Sequence, residues 1–241
     1  MGCRLLMKFT MSLQENKNKG FFITGIDTSV GKTLVAAALL IHLAKSGFTT
    51  AAMKPLASGC LEMATGLRND DAIILQKYAT LKLAYTEINP FAFRDPIAPH
   101  IAAKNSGTRL TVKRVLSASE PVLTADADYV IIEGAGGWYV PLNKYETMAT
   151  LALGYGYPII LVVGVKLGCI NHALLTLKVM ADAKINLRGW IANVIDKNML
   201  YLHENIQAIE NSTKAELLGI IPYQESISPE NVANFLGKII S

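Results

Sequence analysis

The stretch Gly25-Ile26-Asp27-Thr28-Ser29-Val30-Gly31-Lys32-Thr33 constrains this chain more than any other. It follows an apolar run, Phe21-Phe22-Ile23-Thr24, and opens an Ala/Leu-rich helical pattern from Leu34 onward, so it reads as strand, phosphate loop and helix. Successive backbone N–H groups in such a loop, backed by the positive end of the helix, form a nest that a triphosphate fits. Lys32 then stands beside the outer phosphates, and Thr33 offers a hydroxyl to Mg²⁺. Five residues separate Gly25 from Gly31, one more than the usual four, so Ile26 occupies the place of the first glycine. The loop is a variant of the usual motif. Its plain alternative is a glycine turn capped by Thr28 or Ser29, against which both the lysine and the threonine fall in place.

With 241 residues, 51% of them hydrophobic and 17% charged, the chain is long enough for one α/β domain with a large core. The net charge of +4 is spread without a basic block, which argues against nucleic acid or a membrane as partner and for small molecules. Cys3, Cys60 and Cys169 are far apart and lack metal-ligand spacing, which suits a reducing compartment, the cytoplasm, without disulfides. Residues 1–19 carry too short an apolar core for a signal peptide and then turn polar, as expected of a disordered extension before a catalytic domain over 20–241.

Further along, strand and helix patterns alternate, which predicts a mainly parallel sheet with helices on both faces. Helices are expected over 35–45, 99–105, 111–119, about 169–183 and 200–209, and strands over 48–53, 158–165, 187–194 and 215–220. Lys54-Pro55-Leu56-Ala57-Ser58-Gly59 places Lys54 and Ser58 where the second strand ends, the edge at which open α/β sheets bind ligands. By position alone Lys54 fits a solvated turn equally well. Asp70 and Asp71 open a helix behind Asn69, where by position a carboxylate serves the helix dipole more readily than a metal. The buried run Tyr129 to Ile132 ends in Glu133-Gly134-Ala135-Gly136-Gly137, an acidic strand tip suited to Mg²⁺ followed by glycines that let backbone approach a ligand. By spacing alone, Gly168-Cys169-Ile170-Asn171 reads as a plain strand-to-helix loop, although its helix N-terminus offers free N–H groups to a carboxylate. Asn193-Val194-Ile195-Asp196 has the spacing of a guanine-reading element but lacks its lysine; the amide of Asn193 still suits a purine edge.

Taken together, these blocks closely resemble the dethiobiotin synthetase family, the ATP-dependent cyclo-ligases of biotin biosynthesis. The resemblance runs from Gly20 to the end and rests on Thr24 to Thr33, Lys54 to Gly59, Gly66 to Ala72, Glu133 to Trp138, and Gly164 to Ala173. The unusual glycine spacing of the phosphate loop is itself the family's form. The resemblance implies a single-domain P-loop NTPase-like α/β fold. It implies a homodimer that turns 7,8-diaminononanoate, CO₂ (or bicarbonate) and ATP into dethiobiotin, ADP and phosphate with Mg²⁺. It implies catalytic roles for Lys54, Lys32 and Ser58, and metal contacts from Thr33, Asp71 and Glu133. ATP contacts are implied for Thr28, Ser29, Val30, Gly31, Lys32, Thr33 and Leu34, for Asp71, Glu133, Gly134, Ala135 and Gly136, and around the base for Asn193, Pro222, Tyr223 and Gln224. Gly168, Cys169, Ile170 and Asn171 of one subunit would hold the substrate's far carboxylate in the other's site. The family's helical tyrosine that assists that carboxylate falls at Asn205 here, with Tyr201 one turn earlier.

Two other readings are weaker. A partitioning-type ATPase shares the variant loop, but its signature lysine would stand at Asp27. An amidotransferase-type cobyrinate ligase shares the core but needs a glutaminase domain for which 241 residues leave no length.

Overall fold

The structure, a computed structural model, describes residues 19–236 and 239. The expected N-terminal extension lies outside the described residues, except that Lys19 opens the first strand. Six strands, β1 (Lys19–Gly25), β2 (Thr50–Met53), β3 (Tyr129–Gly137), β4 (Ile159–Val165), β5 (Leu187–Val194) and β6 (Leu217–Ile221), form one sheet. Their spatial order is β6-β5-β4-β1-β3-β2, and every neighbouring pair is parallel.

Parallel strands covered on both faces read as continuous apolar runs, and β4 is the clearest case, with all seven residues buried. Alternate side chains then divide between two cores. Phe21, Ile23, Ile131 and Val162 pack with α1 (Lys32–Lys45), α2 (Asp70–Tyr78) and the turn of helix at Pro229–Val232. Phe22, Val130, Val163 and Trp190 pack with α3 (Val112–Ala118), α4 (Met148–Tyr155), α5 (Cys169–Asp182) and α6 (Leu202–Asn211). This is the expected P-loop α/β architecture.

Three pieces depart from the sequence reading. Leu61–Met63 and Gly66–Arg68 form an exposed antiparallel hairpin, and Leu56–Ala57 pairs with Phe91–Ala92 in a separate two-stranded sheet. Strands of two or three residues are too short to show a period. The third, α4, is apolar nearly all round, with five of its eight residues buried, so it has no amphipathic stripe to detect; Thr147 caps it. Among the described residues no helix is long and apolar enough to cross a membrane.

Because the whole sheet is parallel, the carboxyl ends of its strands share one edge. Register does the finer positioning. Met53 pairs with Ile132 and Ile23 pairs with Glu133, so Lys54, the residue after Met53, comes level with Glu133 beside the strand that feeds the phosphate loop.

Candidate active site

The loop between β1 and α1 is held from two sides. Gly31 stands at φ +92°, and a Cβ there would lie 2.2 Å from Asn193 Nδ2. That same amide, at the end of β5, donates to the Val30 carbonyl at 2.9 Å. Lys32 Nζ donates to the Asp27 carbonyl at 2.7 Å, curling across the loop's mouth. Burial, reinforced by the charge of Lys54, lowers the Lys32 pKa to about 8. Thr28 and Ser29 are exposed on the loop, Val30 is buried beneath it, and Leu34 is half-buried in the first turn of α1.

Lys54 is the centre of the site. It is 4% exposed, and its ammonium lies 2.6 Å from Glu133 Oε1 and 2.9 Å from Asp71 Oδ2. Thr33 Oγ1 donates to the same Glu133 oxygen at 2.9 Å. Four residues from four separate stretches of chain therefore converge beside the phosphate loop. Burial alone would lower the Lys54 pKa, but the carboxylates of Glu133 and Asp71 outweigh it and raise it, so the ammonium stays charged. Burial raises the Glu133 carboxyl above its ordinary value, with Lys54 opposing. Burial also pushes Asp71 up, but there the charge of Lys54 wins and its carboxyl falls below the ordinary range. Two of the three ammonium donors meet carboxylates. The third has only a 3.4 Å approach to the Gly134 carbonyl, which leaves capacity for an incoming oxyanion.

Two buried polar atoms lack partners where a ligand would supply them. Glu133 Oε2 has no hydrogen bond, and neither has Ser58 Oγ. An uncompensated carboxylate oxygen beside a threonine hydroxyl and a second carboxylate suits a divalent cation. Among the described residues no group of three or more His, Cys, Asp or Glu could hold an ion. Thr33, Asp71 and Glu133 offer only a partial oxygen set, with Lys54 on one oxygen of each carboxylate, of a kind that a small hard cation would complete with waters and phosphate oxygens.

Of the other expected site residues, Gly134 touches this cluster through its carbonyl and the rest lie outside it. Gly134 to Gly136 continue β3, and Gly136 takes φ +64°. Pro222, Tyr223 and Gln224 follow β6, next to the strand end that carries Asn193. Gly168 caps α5 at φ +93° without a side-chain bond, Cys169 is buried, and Asn171 is exposed. Tyr201 is exposed at the N-cap of α6, and Asn205 Nδ2 donates back to the Tyr201 carbonyl at 2.8 Å. The sequence reading missed Tyr85 and Asn89. Asn89 Nδ2 donates to the Lys54 carbonyl at 2.6 Å, and the only sequence signal was the Asn89-Pro90 pair, which reads as a turn.

A family model described as an AAA domain matches residues 19–231. The ATP-dependent dethiobiotin synthetase BioD of Pseudomonas aeruginosa is 46% identical over 216 residues, covering 90% of this chain and 95% of that relative. The chain belongs to the dethiobiotin synthetase family. The enzyme of the same name from Cellvibrio japonicus is 47% identical over 204 residues, covering 85% of this chain and 89% of its own. Among solved structures, the septum site-determining protein MinD with Mg-ADP from Pyrococcus horikoshii superposes with a TM-score of 0.53 at 16% identity, covering 92% of this chain and 94% of that one. A ParA family ATPase from Chlorobium tepidum gives 0.50 at 15% identity over 87% and 86% of the two chains. At that distance the likeness is one of fold, and it places this dethiobiotin synthetase family member on a P-loop scaffold.

Proposed function

We infer that the chain catalyses the ATP-dependent closure of 7,8-diaminononanoate with CO₂ to dethiobiotin, releasing ADP and phosphate. The observation that carries this reading is a charged, buried lysine with a spare donor beside the phosphate loop, on the same turn of chain as the unpartnered hydroxyl of Ser58. ATP hydrolysis alone has no use for such a pair; an oxyanion held next to the γ-phosphate does.

The steps follow from these groups. One substrate amine adds to CO₂ and loses a proton, forming a carbamate. Lys54 receives its oxyanion and Ser58 donates to it, holding it in line with the phosphate loop. A carbamate oxygen attacks the γ-phosphorus, and ADP leaves. The second amine then attacks the carbonyl carbon of this carbamic-phosphoric anhydride, phosphate leaves, and the ureido ring closes. Lys32 and the loop N–H groups spread the charge of the transferring phosphoryl group. Mg²⁺, when held by Thr33, Asp71 and Glu133, would add positive charge at the phosphate oxygens.

The same reading assigns the adenine to Asn193 and to Pro222, Tyr223 and Gln224, and makes the enzyme a cytoplasmic homodimer. In that dimer Gly168 to Asn171 would take the substrate carboxylate in the other subunit's site, with Asn205 or Tyr201 assisting. The exposure of Leu167 and Leu175 flanking this turn supports a covered surface there. The test is direct. Purified protein with Mg·ATP, bicarbonate and the diamine should yield dethiobiotin by mass spectrometry, with phosphate release dependent on the diamine. ATP hydrolysis that ignores the diamine and yields no cyclised product would refute the assignment.

A further inference from the structure

The edge strand β2 leaves one side of its main chain without a strand partner, and that side is closed by the segment around residues 80–91. Thr50 exchanges bonds with Thr80, with its N–H donating to Thr80 Oγ1 at 2.7 Å. At the other end Lys54 is gripped twice. Its N–H donates to the Ile88 carbonyl at 2.9 Å, and its carbonyl accepts from Asn89 Nδ2 at 2.6 Å. Pro55 follows and cannot donate, so the grip on Lys54 ends the strand.

The bonding continues beyond Asn89 in one direction. Asn89 Oδ1 accepts from the Tyr85 hydroxyl at 3.1 Å, and that hydroxyl accepts from the Asn69 N–H at 2.7 Å. Asn69 is the N-cap of α2, accepting from the Ala72 N–H, and Asp71 lies in the first turn of that helix. Donor and acceptor roles are fixed at each link. The Lys54 carbonyl can only accept, so Asn89 presents its NH₂ there and its oxygen to Tyr85; the Asn69 N–H can only donate, so the Tyr85 proton points to Asn89. Asn89 is 3% exposed and Tyr85 9% exposed, and the Arg68 guanidinium lies 4.1 Å over the Tyr85 ring. Buried amides and phenols of this kind are expensive unless every group is matched, and here each is.

From this geometry we propose that Tyr85 and Asn89 are positioning residues that fix Lys54 relative to Asp71. They tie the main chain behind the lysine to the cap of the helix that carries the aspartate, through bonds to Lys54, Asn69 and each other. The proposal rests on the ring-closing function inferred above. It extends that function by assigning the spacing of the reacting groups to two residues outside the site.

The experiment compares Tyr85→Phe and Asn89→Ala with the parent in kcat, in KM for the diamine and in Kd for ADP, at a temperature where circular dichroism shows all three folded. Loss of a group that orients a site residue typically costs about 10- to 100-fold in rate, so kcat should fall by that factor in Asn89→Ala and by about 10-fold in Tyr85→Phe. ADP affinity measured without Mg²⁺ should stay within about 2-fold of the parent, because the phosphate loop is braced separately by Asn193 and Asp27. Tyr85→Phe keeps the ring packing, so it serves even where Asn89→Ala fails to fold. Parent-like kcat per folded chain in Tyr85→Phe overturns the relay, and so does an equal loss of kcat and ADP affinity, which would signal general loosening. Dethiobiotin formation by the unsubstituted chain tests the underlying function separately. Should the parent make none, amide exchange at Lys54 decides: faster exchange in Tyr85→Phe supports the relay and unchanged exchange overturns it.

Discussion

Replacing Lys54 with methionine keeps the stem and deletes the positive charge between Glu133 and Asp71. The two carboxylates do not feel this equally: the Glu133 side chain is fully buried, whereas that of Asp71 is 40% exposed and water can screen it. Removing one partner of a buried ion pair strands the other charge at a cost of about 3–5 kcal/mol. Glu133 can escape part of that cost by taking up a proton, since burial already raises its carboxyl pKa and losing Lys54 raises it further. A carboxyl raised in the folded state contributes stability below its unfolded pKa and loses it as pH rises through the folded one. The deficit of Lys54→Met should therefore be greatest near pH ~8 and shrink toward pH ~5. For a chain of this size the full deficit lowers Tm by about 10 °C, and adding Glu133→Gln should restore most of it. Thermal melts of parent, single and double variants at both pH values measure this, and isothermal titration should show ADP binding retained while dethiobiotin production is lost. A Tm within about 2 °C of the parent at both pH values would refute the stranded-charge reasoning. Turnover at the parent rate would remove Lys54 from the chemistry.

Ser58→Ala deletes a buried hydroxyl that has no partner, so stability should hold or rise slightly while KM for the diamine rises about 10-fold; steady-state kinetics alongside a melt separates the two. Gly31→Ala puts a Cβ where Asn193 Nδ2 stands, at a φ that L-residues resist, and should abolish nucleotide binding by fluorescence titration. The Asp128 carboxyl accepts from the Thr49 N–H and hydroxyl, and the N–H bond above all holds its pKa below the ordinary value. Its stabilisation is complete above the unfolded carboxyl pKa and lost as pH falls through the folded one. The Tm gap between parent and Asp128→Asn should thus be open above pH ~4 and close in more acid solution, which a melt series across that range would show.

Much of this was legible in the residues. The phosphate loop declared itself because its chemistry is local: a glycine, a lysine and a threonine at fixed spacing after a buried strand. Lys54 did not, since a lysine before proline reads as a turn until register sets it level with Glu133. Asp71 was equally ambiguous, a helix-dipole residue and an ion-pair partner at once. Family resemblance supplied an expectation for both where local physics was silent. Tyr85 and Asn89 escaped because their role lies in hydrogen bonds to main-chain atoms of distant residues, and main-chain atoms are the same whatever the sequence. The short pairing of Leu56–Ala57 with Phe91–Ala92 escaped for want of length, and α4 for want of a polar side.

The bond from Asn193 to the Val30 carbonyl spans 163 residues. The loop's residues are among the first of this domain to leave the ribosome, yet their brace is among the last, and the two strands flanking β1 are β3 and β4, both made long after it. Until those strands join it, the nucleotide motif of a nascent chain keeps only its local brace, the bond from Lys32 to the Asp27 carbonyl. The brace from Asn193 can form only once β5 has been made and docked, so a chain truncated before Asn193 is expected to bind ADP more weakly than the full domain, which a titration of both would show.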